Sequence, residues 1–121
     1  MKFHIVSDSS CDLGRERLER LGVSMVSFYA AFDDEVYFRE ERDIPTHRFY
    51  EMMAQRPGMF PKTSMPTMDD YLEAFRPLAA QGVPILCICL NAQFSGSWQS
   101  ASSAAEELRE EFPGASIQVL D

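Results

Sequence analysis

The order of apolar and polar residues divides the chain into strands joined by helices. Residues 85–90, Ile-Leu-Cys-Ile-Cys-Leu, are uninterruptedly apolar, the run expected of a strand buried on both faces in a parallel sheet flanked by helices. A polar turn, Asn91-Ala92-Gln93-Phe94, follows it, and then Trp98, Ala101, Ala105, Leu108 and Phe112 recur at helical spacing. Near the start, Phe3-His4-Ile5-Val6 predicts a short first strand and Asp8-Ser9-Ser10-Cys11-Asp12 the polar loop after it. Asp12 is placed to cap a helix whose Leu13, Leu18 and Leu21 face inward and which stops at Gly22. Residues 23–28 are rich in β-formers and predict a second strand, and residues 29–40 an edge hairpin turning at Asp33-Asp34-Glu35.

The second half repeats the alternation. Pro45 suits the first turn of a helix carrying Phe49, Met52 and Met53, which ends at Pro57-Gly58. Pro61-Lys62-Thr63-Ser64-Met65-Pro66-Thr67 is a loop stiffened by its prolines. Thr67 and Asp70 have the spacing of a capping box, which predicts a helix over 68–81 that Pro77 should kink or interrupt. Pro113-Gly114 makes a turn, and residues 116–120 are a last strand. Strands alternating with helices define the fold class as α/β, a mostly parallel sheet flanked by helices, in a single domain over 1–121. The chain stops at Asp121, where such a strand normally hands on to another loop, so a fragment of a longer protein is expected.

Ligands of such sheets sit outside the carboxyl ends of the strands. That points to Asp8–Asp12 and to the segment from Asn91 to Ser97, whereas Thr63-Ser64 follows a helix and is not placed by periodicity. Ser95 stands where a helix N-cap belongs, and Gly96 leaves backbone N–H groups uncovered, so this loop is either a plain cap or a cradle for an anion. It offers hydroxyls and amides without an evident base. A nucleophile elbow is disfavoured because Phe94-Ser95-Gly96-Ser97-Trp98 lacks the flanking glycines. His4 falls in a strand and His47 in the first turn of a helix, as core or edge and surface groups respectively. Asp8 and Asp12 have no recognised metal-loop spacing, and no metal or cofactor is expected. Cys87-x-Cys89 lacks the two-residue spacer of a zinc or redox motif and is read as core packing. Met52, Met53, Met59, Met65 and Met68 are either core filler or the pliant lining of an apolar pocket.

Composition removes other classes. The 121 residues are 45% hydrophobic and 25% charged, as in an ordinary globular domain, with a net charge of −8. That charge excludes a nucleic-acid surface and disfavours anionic membranes. No apolar run approaches the ~18 residues of a membrane span. Three cysteines make no disulfide framework and suit a reducing, cytoplasmic setting.

In series, Ile5-Val6-Ser7-Asp8-Ser9-Ser10-Cys11-Asp12-Leu13, Asp43-Ile44, Phe49-Tyr50, Pro61-Lys62-Thr63-Ser64-Met65-Pro66-Thr67 and Phe94-Ser95-Gly96-Ser97-Trp98-Gln99-Ser100-Ala101 resemble the DegV family of bacterial fatty-acid-binding proteins. The resemblance implies the amino-terminal α/β lobe of a two-lobed protein, with the carboxyl-terminal lobe absent from this chain. It implies a non-enzymatic lipid-binding protein that holds a long-chain fatty acid between lobes and presents it to a separate fatty acid kinase for phospholipid synthesis. The carboxylate would be held by the Thr63 and Ser95 hydroxyls, with Gly96, Ser64, Ser9 and Asn91 around them. The chain departs from the family pattern at Met65, where glutamine is usual, at Asn91-Ala92, which replaces a pair of serines, and at Trp98. The competing reading is an enzyme, a small-molecule hydrolase or phosphoryl-transfer protein using Asp8 or Ser95. A third is a ligand-free domain that self-associates through the surface a second lobe would cover.

Overall fold

The computed structural model describes residues 2–33 and 36–121. Four strands, β1 (His4–Asp8), β2 (Ser24–Val26), β6 (Ile85–Ile88) and β7 (Ile117–Leu120), form a wholly parallel sheet in the order β2-β1-β6-β7. Three short strands, β3 (Tyr29–Ala31), β4 (Phe38–Arg39) and β5 (Lys62–Ser64), make a second, antiparallel sheet in the order β4-β3-β5. The helices are α1 (Arg15–Leu21), α2 (Thr46–Gln55), α3 (Met68–Ala80) and α4 (Ser97–Glu111). The α/β class and the parallel sheet are those expected.

The chain leaves β1 in one direction to form β2, then returns past β1 to lay down β6 and β7. Right-handed crossovers therefore send α1 to one face of the sheet and α3 and α4 to the other. The core lies on the second face, where Val6, Ile85, Cys87 and Ile117 meet Tyr71 and Phe75 of α3 and Ala101, Ala104, Ala105 and Leu108 of α4. Small alanines let α4 lie close to the strands, while the aromatic pair of α3 fills the remaining depth, its rings 5.6 Å apart.

The opposite face corrects the expectation for residues 85–90. Only alternate residues of that run are buried: Ile85, Cys87 and Cys89 face the core, whereas Ile88 is 42% exposed and its lateral neighbour Leu120 49%. The reason is topological: of the helices that connect strands of this sheet directly, α1 crosses to that side, and it packs beside β2. Seven residues give α1 room to bury only Leu18, so Leu13 and Leu21 are exposed rather than inward-facing.

Local chemistry explains the other boundaries. Asp12 does not cap α1; it closes a 3-10 turn over Ser9–Cys11 with left-handed backbone (φ 57°), and Gly14 takes the N-cap. The Glu41 carboxylate instead accepts from the Arg15 N–H at 3.3 Å and the Thr46 N–H at 3.2 Å, tying the starts of α1 and α2 to one side chain. Thr67 and Asp70 form the expected capping box of α3. Pro77 does not interrupt α3, because it lies in the last turn, where a missing donor costs a single ladder bond. Pro45 stands at the N-cap of α2, not within its first turn. The expected hairpin exists as the β3–β4 pair, but not at an edge of the parallel sheet: β3 is the middle strand of the separate antiparallel sheet; of the proposed turn, Asp34 and Glu35 lie outside the described residues. Periodicity missed β5, since three polar residues, all exposed, carry no apolar alternation and are held by their ladder to β3.

Candidate ligand-binding site

The strand order reverses between β1 and β6, so the crevice between the loops after them is the topological switch point of the sheet. Asp8 fills its floor. The side chain is 1% exposed. Its Oδ1 accepts from the Ser10 N–H at 3.1 Å and from the Ser10 hydroxyl, and its Oδ2 from the Leu90 N–H and the Ser97 hydroxyl, each at 2.9 Å. One carboxylate thus joins the end of β1, the end of β6 and the first residue of α4. With its oxygens committed to protein donors, Asp8 is poorly placed to act as a nucleophile or base, which weighs against the enzymatic reading.

Behind Asp8 lies a buried polar chain. Ser97 Oγ is 2.6 Å from the Tyr71 hydroxyl, which is 3.5 Å from Cys89 Sγ, itself 3.7 Å from Cys87 Sγ. The two thiols are free and buried on the core side at the end of β6 and just beyond it, in keeping with a packing role. Burial raises the pKa of Tyr71 well above the usual phenol value, against the lowering effect of its bond to Ser97. The contact with Cys89, reinforced by burial, likewise raises the Cys87 thiol.

The loop over this floor differs in detail from the expectation. Gly96, not Ser95, is the N-cap of α4. Ser95 nevertheless serves the helix start, its Oγ accepting from the Ser97 N–H at 3.1 Å. Asn91 builds the turn: its carbonyl accepts from the Phe94 and Ser95 amides at 2.9 and 3.2 Å, and its Oδ1 from the Gln93 N–H at 2.8 Å. Its side chain is thereby engaged in loop geometry.

Thr63 and Ser64 lie on β5, opposite Ala30 and Tyr29 of β3, and both are exposed. The link from β5 to the Ser95 turn is Met65, whose Sδ and Cε occupy the space that a Cβ on Gly96 would need. Thr63 and Ser95 therefore belong to segments in direct contact. Ser9 takes another part. It is buried, donates to Glu40 Oε2 at 2.7 Å and accepts from the Phe28 N–H at 2.9 Å, so its hydroxyl ties the two sheets together. His4 is half-buried against Ser24 Oγ, with 2.7 Å from Nε2, and His47 is exposed, as the sequence implied.

Large apolar side chains stand uncovered along the same segments. Phe60 is 86% and Phe94 80% exposed, and Met59, Met65 and Met68 are also open. The methionines expected as core or as pocket lining thus divide: Met52 and Met53 are half-buried on α2, and the remainder face outward. Among the described residues no helix is long and apolar enough to cross a membrane. Reasoning from sequence did not single out Ser97 as distinct from its neighbours. The signal was there, in a serine at the first position of a helix whose buried stripe includes it, but only its partner Asp8 reveals the role.

A doubly wound α/β unit with a hydroxyl- and amide-lined switch point and an open apolar surface is the class these features define. The model of the DegV family, described as uncharacterised proteins, matches residues 2–121. The chain belongs to the DegV family. A DegV domain-containing protein of Clostridium acetobutylicum is 30% identical over 121 residues, covering 100% of this chain and 41% of that protein. Among solved structures, a stearic-acid-binding protein from Eubacterium ventriosum is 41% identical with a TM-score of 0.94, covering 99% of this chain and 41% of the other. The Fatty Acid Kinase B3 protein of Streptococcus pneumoniae, loaded with linoleic acid, shares the fold at 24% identity and a TM-score of 0.77, over 100% of this chain and 42% of the other. The chain therefore spans about two fifths of the length of these relatives.

Proposed function

We propose that this chain contributes the carboxylate-binding half of a long-chain fatty-acid site, with the Thr63 and Ser95 hydroxyls and the Gly96 amide as donors to the headgroup. The observation that carries the reading is the seating of Met65 against Gly96, which brings β5 and the Ser95 turn together. A carboxylate leaving water needs several donors, and charge-assisted hydrogen bonds are the stronger kind. The positive end of the 15-residue helix α4 favours the same charge. The stearic-acid-binding relative supports the ligand class. Ser64 and Asn91 serve as neighbours that shape the donors, and Ser9 as the tie beneath them.

Burial of the acyl chain contributes more to binding than the headgroup does, ~0.8 kcal/mol per buried methylene and so on the order of 11 kcal/mol gross for ~14 of them. Much of that requires a second wall. The uncovered Ile88 and Leu120 and the greater length of the relatives support a two-lobed arrangement in which a further lobe completes the tunnel. In this reading the protein is a cytoplasmic, non-catalytic subunit that offers its fatty acid to a separate kinase.

The test is a titration of the 121-residue chain with stearate, followed by the amide spectra of Thr63, Ser95 and Gly96. Saturable shifts at all three, lost in Thr63→Ala and Ser95→Ala, are expected. Shifts confined to distant residues, or unaffected by both substitutions, overturn the assignment. Binding by this chain alone should be far weaker than by a complete two-lobed relative.

A further inference from the structure

Asp8 and Ser97 are linked by hydrogen bonds to Ser95, and these bear on which way the Ser95 hydroxyl points. Ser97 has a single hydroxyl proton, and it goes to Asp8 Oδ2 at 2.9 Å. The 2.6 Å contact between Ser97 Oγ and the Tyr71 hydroxyl must then have tyrosine as donor. Tyr71 in turn can only accept at its 3.5 Å contact with Cys89. Every proton in this buried chain is directed toward one carboxylate. With its side chain anchored at Asp8, Ser97 presents its backbone N–H to Ser95 Oγ at 3.1 Å. That fills an acceptor position of Ser95, and among the described residues no acceptor takes the Ser95 hydroxyl proton.

We infer that Asp8, acting through Ser97, is a positioning residue that holds Ser95 Oγ as an acceptor of the Ser97 N–H and leaves its proton for the headgroup, and so makes the headgroup site selective for a carboxylate over an uncharged group of the same size. The inference rests on the fatty-acid reading above and adds to it the origin of headgroup selectivity. A carboxylate gains most from such a donor because the bond is charge-assisted. An alcohol can accept the same bond, but without the charge that strengthens it, and so gains less from it.

Octanoate and octanol are soluble probes with one chain length and different heads, and amide spectra of the full chain report weak binding of either. The unsubstituted protein should bind octanoate in preference to octanol, with the Gly96 and Ser97 amides shifting only for the acid. In Asp8→Asn the carboxamide nitrogen faces two donors, either the Leu90 N–H and the Ser97 hydroxyl or the N–H and hydroxyl of Ser10. The acid-over-alcohol preference should fall about tenfold, the scale of one charge-assisted hydrogen bond. Tyr71→Phe removes a member of the same buried chain but leaves the Asp8–Ser97–Ser95 link whole. It should lower the thermal midpoint while keeping the preference within about twofold, a contrast that a purely structural role would not produce.

If Asp8→Asn does not fold, Ser97→Ala takes its place, since it leaves Asp8 with its Ser10 and Leu90 donors. An undiminished preference in the folded Asp8 or Ser97 variant overturns the positioning role alone. So does an equal loss in Tyr71→Phe. Gly96 and Ser97 amides unmoved by octanoate in the unsubstituted protein would instead remove the headgroup site itself, and the inference with it.

Discussion

Met65 Sδ lies where a side chain on Gly96 would begin, so the strand that carries Thr63 and the turn that carries Ser95 meet through a thioether and a missing methyl. Gly96 has φ −80° and ψ 6°, a backbone conformation open to any residue. Glycine is needed there for close approach and not for backbone freedom. Because the atoms in the way are the far end of a flexible side chain, Gly96→Ala should cost no more than about 1 kcal/mol of stability. A double-mutant cycle with Met65→Ala should show coupling of at least ~0.5 kcal/mol, read by urea unfolding. Strict additivity would mean that the two segments do not depend on this contact.

Removing the Asp8 carboxylate entirely is a harsher change than neutralising it. Asp8→Ala leaves the Leu90 N–H and the Ser97 and Ser10 donors facing a void where the carboxylate stood. Buried donors without acceptors cost about 1–3 kcal/mol each. A loss of about 3 kcal/mol or more is expected, enough to leave a marginal domain largely unfolded at 37 °C. Circular dichroism across a thermal ramp measures it, and a midpoint within a few degrees of the unsubstituted protein would contradict the role assigned to the crevice floor.

Alkaline pH should act through the same buried chain. Both the Tyr71 phenol and the Cys87 thiol are raised above their ordinary values, of 10.0 and 9.0, in the folded protein. Each therefore holds its proton in the native state at pH values where the unfolded chain has released it. By linkage, stability is fully present below the unfolded pKa values and falls as pH rises past them. The contact that raises Cys87 lowers the Cys89 thiol, so the two thiols offset one another and the decline should set in near pH 10 with Tyr71. Tyr71→Phe should flatten the part above pH 10, as seen in urea midpoints measured from pH 7 upward.

The uncovered sheet face and the exposed aromatics should drive association of the 121-residue chain. Ile88 and Leu120 are neighbours in register on β6 and β7 and both stand open. Sedimentation velocity should show a weight that rises with concentration, and Ile88→Lys should shift it toward the monomer without loss of helix content. Association unchanged by that charge would place the contact elsewhere, with exposed Phe60 and Phe94 the next to replace.

Much of this protein was legible before folding, and the reason is range. Apolar spacing over 97–112 and the Thr67–Asp70 capping pair are decided within a few residues of chain, so α4 and α3 appear where periodicity puts them. The α/β class follows from the alternation of such elements. Long-range partners decided the rest. Asp12 looked like a cap, but Glu41, distant in sequence, took the start of α1. Residues 85–90 looked buried on both faces because an apolar run records what a strand prefers, while the handedness of the crossovers decides which face a helix reaches. The polar strand β5 has no pattern of its own and exists through its ladder to β3. Likewise the serine-rich turn was visible as a possible anion cradle, yet the bond between Ser97 and Asp8 spans 89 positions. Local order writes itself into periodicity and caps; the direction of a hydroxyl proton depends on a carboxylate that only the closed sheet brings beneath it.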